Sequence, residues 1–97
     1  MNITVNQESI NQFCKKHHIR RLAFFGSVLR DDFGPDSDVD VLVEFIPGTS
    51  VGFLSMSEME FELTDLLGRK ADLRTPHELS RFFRQRVLNE AQDQYAS

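Results

Sequence analysis

The residues of this chain whose types and spacing suit chemistry are Gly26 and Ser27, then ten residues of mostly turn-forming chain, then Asp38-Val39-Asp40 at the head of an apolar run. In a strand, residues i and i+2 share a face, so Asp38 and Asp40 project together while Val39, Val41 and Val43 point into a core. Two carboxylates about 6.5 Å apart repel by about 2.5 kcal/mol at an effective dielectric of ~20. A valine-rich strand that buries one face normally carries neutral or mixed polar residues on the other, so the pair needs a reason. A divalent cation removes the conflict, and Mg²⁺ is usually held by one or two carboxylates together with substrate phosphates. At the other end, Arg20-Arg21-Leu22-Ala23-Phe24-Phe25 reads as a short strand, and Gly26 lets the chain turn into a helix expected to start near Ser27. The free N–H groups and positive end of a helix suit a phosphate, and Ser27 adds a hydroxyl donor. Alone, Gly-Ser is as well explained as a helix cap.

The elements that must position these groups read coarsely as α-β-α-β-α-β-α. Ile10, Phe13, Cys14 and His17 follow the i, i+3, i+4, i+7 spacing of a first helix, with Asn6 as its cap. Met56, Met59, Leu63, Leu66 and Leu67 mark the third helix, which Gly68 stops, and Pro47-Gly48 is a turn before it. Thr75-Pro76-His77-Glu78 is a capping box that opens the last helical region, where Phe82, Phe83, Val87 and Leu88 supply an apolar stripe. Between these helices, residues 69–74 form a third strand candidate, with Ala71 and Leu73 on one face and Lys70, Asp72 and Arg74 on the other. By itself Asp72 is a surface charge beside an arginine. Next to the strand over 39–45 it completes a three-carboxylate cluster able to hold two metals. Arg30, one turn into the helix from Ser27, and Lys70 and Arg74, flanking Asp72, are the cations placed to meet a triphosphate. Strands separated by helices give an α/β (α+β) class, with helices packed on one face of a small mixed β-sheet and the site on the other. The pattern does not fix strand order.

Composition narrows the partners. The 97 residues make one compact domain, 1–97. Cys14 is the sole cysteine, a core residue rather than a nucleophile, and His17 and His18 lack metal-ligand spacing. No basic start followed by an apolar stretch and no run long enough to cross a bilayer is present, so a reducing cytoplasmic location is expected. Eleven Lys and Arg against 15 Asp and Glu give a net charge of −4, which argues against general nucleic-acid binding.

The joint pattern of Gly26-Ser27 and Asp38-Val39-Asp40 resembles the signature of the DNA polymerase beta-like nucleotidyltransferase superfamily. The stretches Val28 to Ser37 and Leu67 to Pro76 resemble its minimal nucleotidyltransferase (MNT) family, which carries a third carboxylate in the second of them; the resemblance runs from about Ile19 to Ala91. It implies the polymerase-beta-like fold, with Asp38, Asp40 and Asp72 on neighbouring strands as catalytic metal ligands for Mg²⁺, two ions in all. Gly26 and Ser27 would grip the outer phosphates, and ATP is the implied donor in a transfer of AMP to a hydroxyl. The sheet and its helices use nearly the whole chain, so the acceptor is expected from another protein. Such nucleotidyltransferases resemble antitoxins that attach AMP to a tyrosine of a HEPN-type ribonuclease toxin. Two other readings stay open: a non-catalytic binding module that neutralises its partner by contact, and an enzyme acting on a small molecule or RNA.

Overall fold

The computed structural model describes residues 2–97. The elements are α1 (Gln7–Lys16), β1 (Ile19–Phe25), a 3₁₀ turn (Gly26–Leu29), β2 (Val39–Phe45), α2 (Phe53–Leu67), β3 (Ala71–Arg74), a second 3₁₀ turn (Pro76–Glu78), α3 (Arg84–Glu90) and β4 (Gln92–Ala96). The strands form one sheet in the order β3-β2-β1-β4. β1 is antiparallel to β2 and β4, whereas β2 and β3 are parallel, the connection between them being α2.

Local chemistry sets the main boundaries. The Asn6 side chain accepts the Ser9 N–H at 3.0 Å and starts α1. α2 stops at Gly68, whose φ of 71° places it in the left-handed region that glycine enters without strain. The two-residue period of β2 sends Val39, Val41 and Val43 into a core shared with Leu22 and Phe24 of β1, Ala71 and Leu73 of β3, Phe13 and Cys14 of α1, and Met59 and Leu63 of α2. Burying each large apolar side chain contributes roughly 1.5–3 kcal/mol, so this layer fixes α1 and α2 on one face of the sheet. The free edge of β3 is closed by α2: Glu60 Oε2 accepts the Leu73 N–H at 2.7 Å, and Thr64 Oγ1 accepts the Ala71 N–H at 3.0 Å.

The opposite face, which Asp40 shares with Leu42 by the strand period, is partly covered. Leu79 packs on Ala23 and Leu42, with Phe25, Val87, Leu88 and Ala91 around them. This layer corrects the expected single final helix. Glu78 Oε1 does accept the Thr75 N–H at 3.0 Å, as a capping box requires, but Leu79 then turns extended with ψ of 144° and drops its side chain onto the sheet. The helix resumes only at Arg84. Phe82 is 85% exposed and Phe83 50% exposed, so they are not a buried stripe. β4 is a further departure from the expected order. Gln92, Asp93 and Gln94 lack apolar alternation, and the strand is held at the sheet edge by its pairing with β1 and by Arg21 Nε donating to Asp93 Oδ1 at 2.6 Å. Among the described residues no helix is long and apolar enough to cross a membrane.

Candidate active site

The site begins with register. Asp40 lies opposite Phe25 on one side and Asp72 on the other. The residue after Phe25 is Gly26, with φ of 75°, and a β-carbon there would collide with the Asp40 carboxylate, lying 3.3 Å from its Cγ. The expected helix from Ser27 is a 3₁₀ turn of four residues, Gly26–Leu29. It ends because Arg30 is extended (ψ of 166°) and Asp31 to Pro35 are poor helix formers. A helix macrodipole is therefore not available to an anion, and the N–H groups of a tight turn would have to take its place. The turn is closed by the Arg30 N–H on Ser27 O at 2.9 Å. The Asn2 side-chain amide donates to Val28 O at 2.8 Å and Arg30 O at 2.6 Å.

The three aspartates share the open face and oppose one another electrostatically. Burial raises the Asp40 pKa above the ordinary carboxylate range, and the negative charges of Asp72 and Asp38 raise it further, while Arg74 and Arg30 act the other way. Asp72 Oδ1 is 3.0 Å from Arg74 NH1, and Asp38 Oδ2 is 3.9 Å from Lys70 Nζ. Arg30 Nε is 3.3 Å from Asp32 Oδ1 at the surface. Among the described residues no three His, Cys, Asp or Glu side chains converge as a ready metal cage. Mg²⁺ does not need one, because it takes one or two carboxylates and completes its shell with water and phosphate oxygens. The hard-oxygen donors here, with the Asp40 charge disfavoured by its neighbours, fit that ion, and Asp38, Asp40 and Asp72 are the residues that would hold it.

Residues 7–93 match the nucleotidyltransferase domain family. The chain belongs to that family. It is similar to a Methanocaldococcus jannaschii protein named provisionally as a protein adenylyltransferase, with 36% identity over 93 residues covering 96% of this chain and 98% of the relative. It is also 38% identical over 72 residues to the protein adenylyltransferase MntA of Thermococcus cleftensis, covering 74% of this chain and 71% of the relative. Its fold matches a toxin-antitoxin structure with AMP-PNP at a TM-score of 0.75 and 18% identity, over 96% of this chain and 75% of that one. It also matches a tri-AMPylated Shewanella oneidensis HEPN toxin in complex with MNT antitoxin at a TM-score of 0.67 and 17% identity, over 94% and 70%. The polymerase-beta-like mixed sheet expected from the motif is the sheet observed.

Two parts of this nucleotidyltransferase site were missed in the sequence. The first is Arg69, which the sequence places only at the start of the third strand candidate. Its NH2 group donates to the carbonyls of Gly34 at 2.6 Å, Pro35 at 3.2 Å and Ser37 at 2.7 Å, and its guanidinium lies 4.4 Å from the Phe33 ring centroid. The loop that delivers Asp38 is thus tied to the start of β3. The signal was present: an irregular run from Phe33 to Ser37 cannot satisfy all of its own carbonyls and must borrow donors from elsewhere. The second is a wall. A cavity of about 250 Å³ runs from Gly26 to α3 and is lined by Phe25, Arg30, Phe83, Arg86 and Glu90 among others. The face that carries Asp40 therefore has a wall on its β1 side.

Proposed function

We propose that this nucleotidyltransferase is a protein adenylyltransferase that moves AMP from ATP to a tyrosine hydroxyl of a HEPN-type ribonuclease and so acts as its antitoxin. The observation that supports the reading is the close approach of Gly26 to the Asp40 carboxylate, which sets the turn that would bind phosphate beside a carboxylate that would hold a metal. The adenylyltransferase relatives, and the fold shared with antitoxins complexed to HEPN toxins, support the donor and the partner.

In this reading the Gly26 turn and Ser27 bind the outer phosphates, and Asp38 and Asp40 would hold Mg²⁺ against the triphosphate, while Asp72 would hold the ion on the acceptor side. When bound, the metal neutralises phosphate charge and makes the acceptor oxygen a better nucleophile. The acceptor oxygen bonds to the α-phosphorus, the bond from that phosphorus to the bridging oxygen breaks, pyrophosphate leaves with the electron pair, and the hydroxyl proton passes to solvent. Arg74, 3.0 Å from Asp72, orients that carboxylate. Catalysis is then mainly positioning and charge stabilisation, and no covalent nucleophile is needed. Cys14 is no candidate, since burial pushes its thiol up to about 12. The cytoplasm, which supplies ATP and keeps Cys14 reduced, is the compartment this activity requires.

A second reading, neutralisation by contact alone, is favoured by the exposed Phe53, Leu54 and Phe61 on α2, an apolar surface suited to a partner. Intact-mass analysis of the co-purified ribonuclease after incubation with ATP and Mg²⁺ separates the two. AMP adducts are expected with the parent and should disappear with Asp38→Asn or when the acceptor tyrosine becomes phenylalanine. Full silencing by the Asp38→Asn protein, with no mass gained, would establish the contact reading instead.

A further inference from the structure

We propose that Arg86 of α3 forms, with Arg30, a subsite for the β- and γ-phosphates of the bound triphosphate. The inference rests on the nucleotidyl-transfer reading and adds to it a residue outside the Gly-Ser and aspartate motifs. Both arginines line the cavity that opens from Gly26, and they approach it from different elements, the end of the 3₁₀ turn and the middle of α3. Outer phosphates held by the Gly26 turn would lie beside β1, on the other side of Asp40 from the cations that pair with Asp38 and Asp72. On their side, Lys70 and Arg74 already serve those carboxylates at 3.9 and 3.0 Å. The α3 side offers two guanidiniums.

Arg86 is held ready rather than committed. Its Nε is 3.2 Å from Glu90 Oε1, but the two side chains are 77% and 61% exposed, and such a surface pair contributes little. Exchanging Glu90 for a phosphate therefore costs little and gains a planar, bidentate contact of the kind arginine makes best. The backbone beneath it is anchored, because Val87 and Leu88 pack on the layer around Leu79 and Arg84 NH2 donates to Leu79 O at 3.0 Å. Phe83 and Val87 give the cavity an apolar side that strengthens a charged contact made there.

The test is equilibrium titration of the full chain, with Mg²⁺ present, using ATP, inorganic tripolyphosphate and AMP. Arg86→Ala should weaken ATP and tripolyphosphate by about tenfold or more, the scale of one charge-assisted contact, and leave AMP within about twofold. Arg86→Lys should recover part of the loss, and Glu90→Gln should tighten ATP by removing the competing carboxylate. Equal weakening of ATP and AMP, or parental affinity for tripolyphosphate in Arg86→Ala, overturns the proposal and leaves adenylyl transfer standing. A parent chain that binds neither ATP nor tripolyphosphate overturns both.

Discussion

Replacing Asp40 by asparagine should stabilise the ligand-free protein while abolishing its use of triphosphate. Adjacent strands lie about 4.8 Å apart, and Asp40 faces Asp72 across one such spacing. Two charges at about 5 Å repel by about 3 kcal/mol at an effective dielectric of ~20. Arg74 beside Asp72 and the partial exposure of the site cancel much of that, leaving a net penalty on the order of 1 kcal/mol. The sign follows from the raised pKa. Between the ordinary carboxylate range and the raised value the folded state binds more protons than the unfolded chain, so stability is lost as pH rises through that window. Asparagine does not titrate and keeps the shape. Its melting temperature at about pH 7 and low salt should therefore exceed the parent's by roughly 4–8 °C, and the gap should close below the ordinary carboxylate pKa of about 3.9. Saturating Mg²⁺ and ATP should reverse the order, raising the parent's melting temperature and leaving the variant's in place. Paired melting curves against pH, with and without ligand, check this. A variant that melts below the parent at neutral pH, or a gap independent of pH, would refute the reasoning from like-charge strain.

Gly26→Ala should lower stability by at least about 1–2 kcal/mol, since the left-handed φ is costly for any β-carbon and this one also meets the Asp40 carboxylate. Titration with Mg²⁺ and ATP should show the triphosphate site lost, and binding at the parental affinity would refute the shared-point geometry. Arg69→Met keeps an apolar contact with Phe33 but leaves the carbonyls of Gly34, Pro35 and Ser37 without their common donor, which should cost about 1–3 kcal/mol. Hydrogen exchange over residues 33–38 should quicken while the core strands stay protected; unchanged exchange in that loop would remove Arg69 from the positioning of Asp38.

What was legible in the sequence was periodic or punctuated. The alternation of Val39, Val41 and Val43 with Asp40 and Leu42 assigned faces correctly, and Gly68 ended α2 where a left-handed cap was needed. What was not legible depends on partners far away in the chain. β4 is a strand because β1 presents an edge to it and Arg21 meets Asp93, yet Gln92-Asp93-Gln94 carries no strand signature of its own. The break at Leu79 is the same kind of event: local capping signals favour a continuing helix, but the hollow over Ala23 and Leu42 draws the side chain down and the backbone with it. Arg86, which lines the cavity with Gly26, lies in the helix that resumes beyond that break.

Gly26 shows most clearly how the two halves of the motif depend on each other. From sequence it was a turn and part of a phosphate grip, yet the side-chain space it leaves is taken by Asp40. The turn at Gly26 and the Asp40 carboxylate are therefore set against each other by the β1–β2 pairing, Phe25 opposite Asp40, rather than by the loop between them. The intervening residues must then leave β1 through a 3₁₀ turn, come back antiparallel, and present Asp38 just ahead of β2. A loop of this length orders only if something outside it binds its carbonyls, which is what Arg69 does from the far side of the site. Arg69 also precedes Lys70 and the strand bearing Asp72, and Val39 N–H reaches Lys70 O at 2.8 Å. The segment that places the third aspartate thus also fixes the first, so a disturbance at the start of β3 should reach Asp38 and Asp72 together.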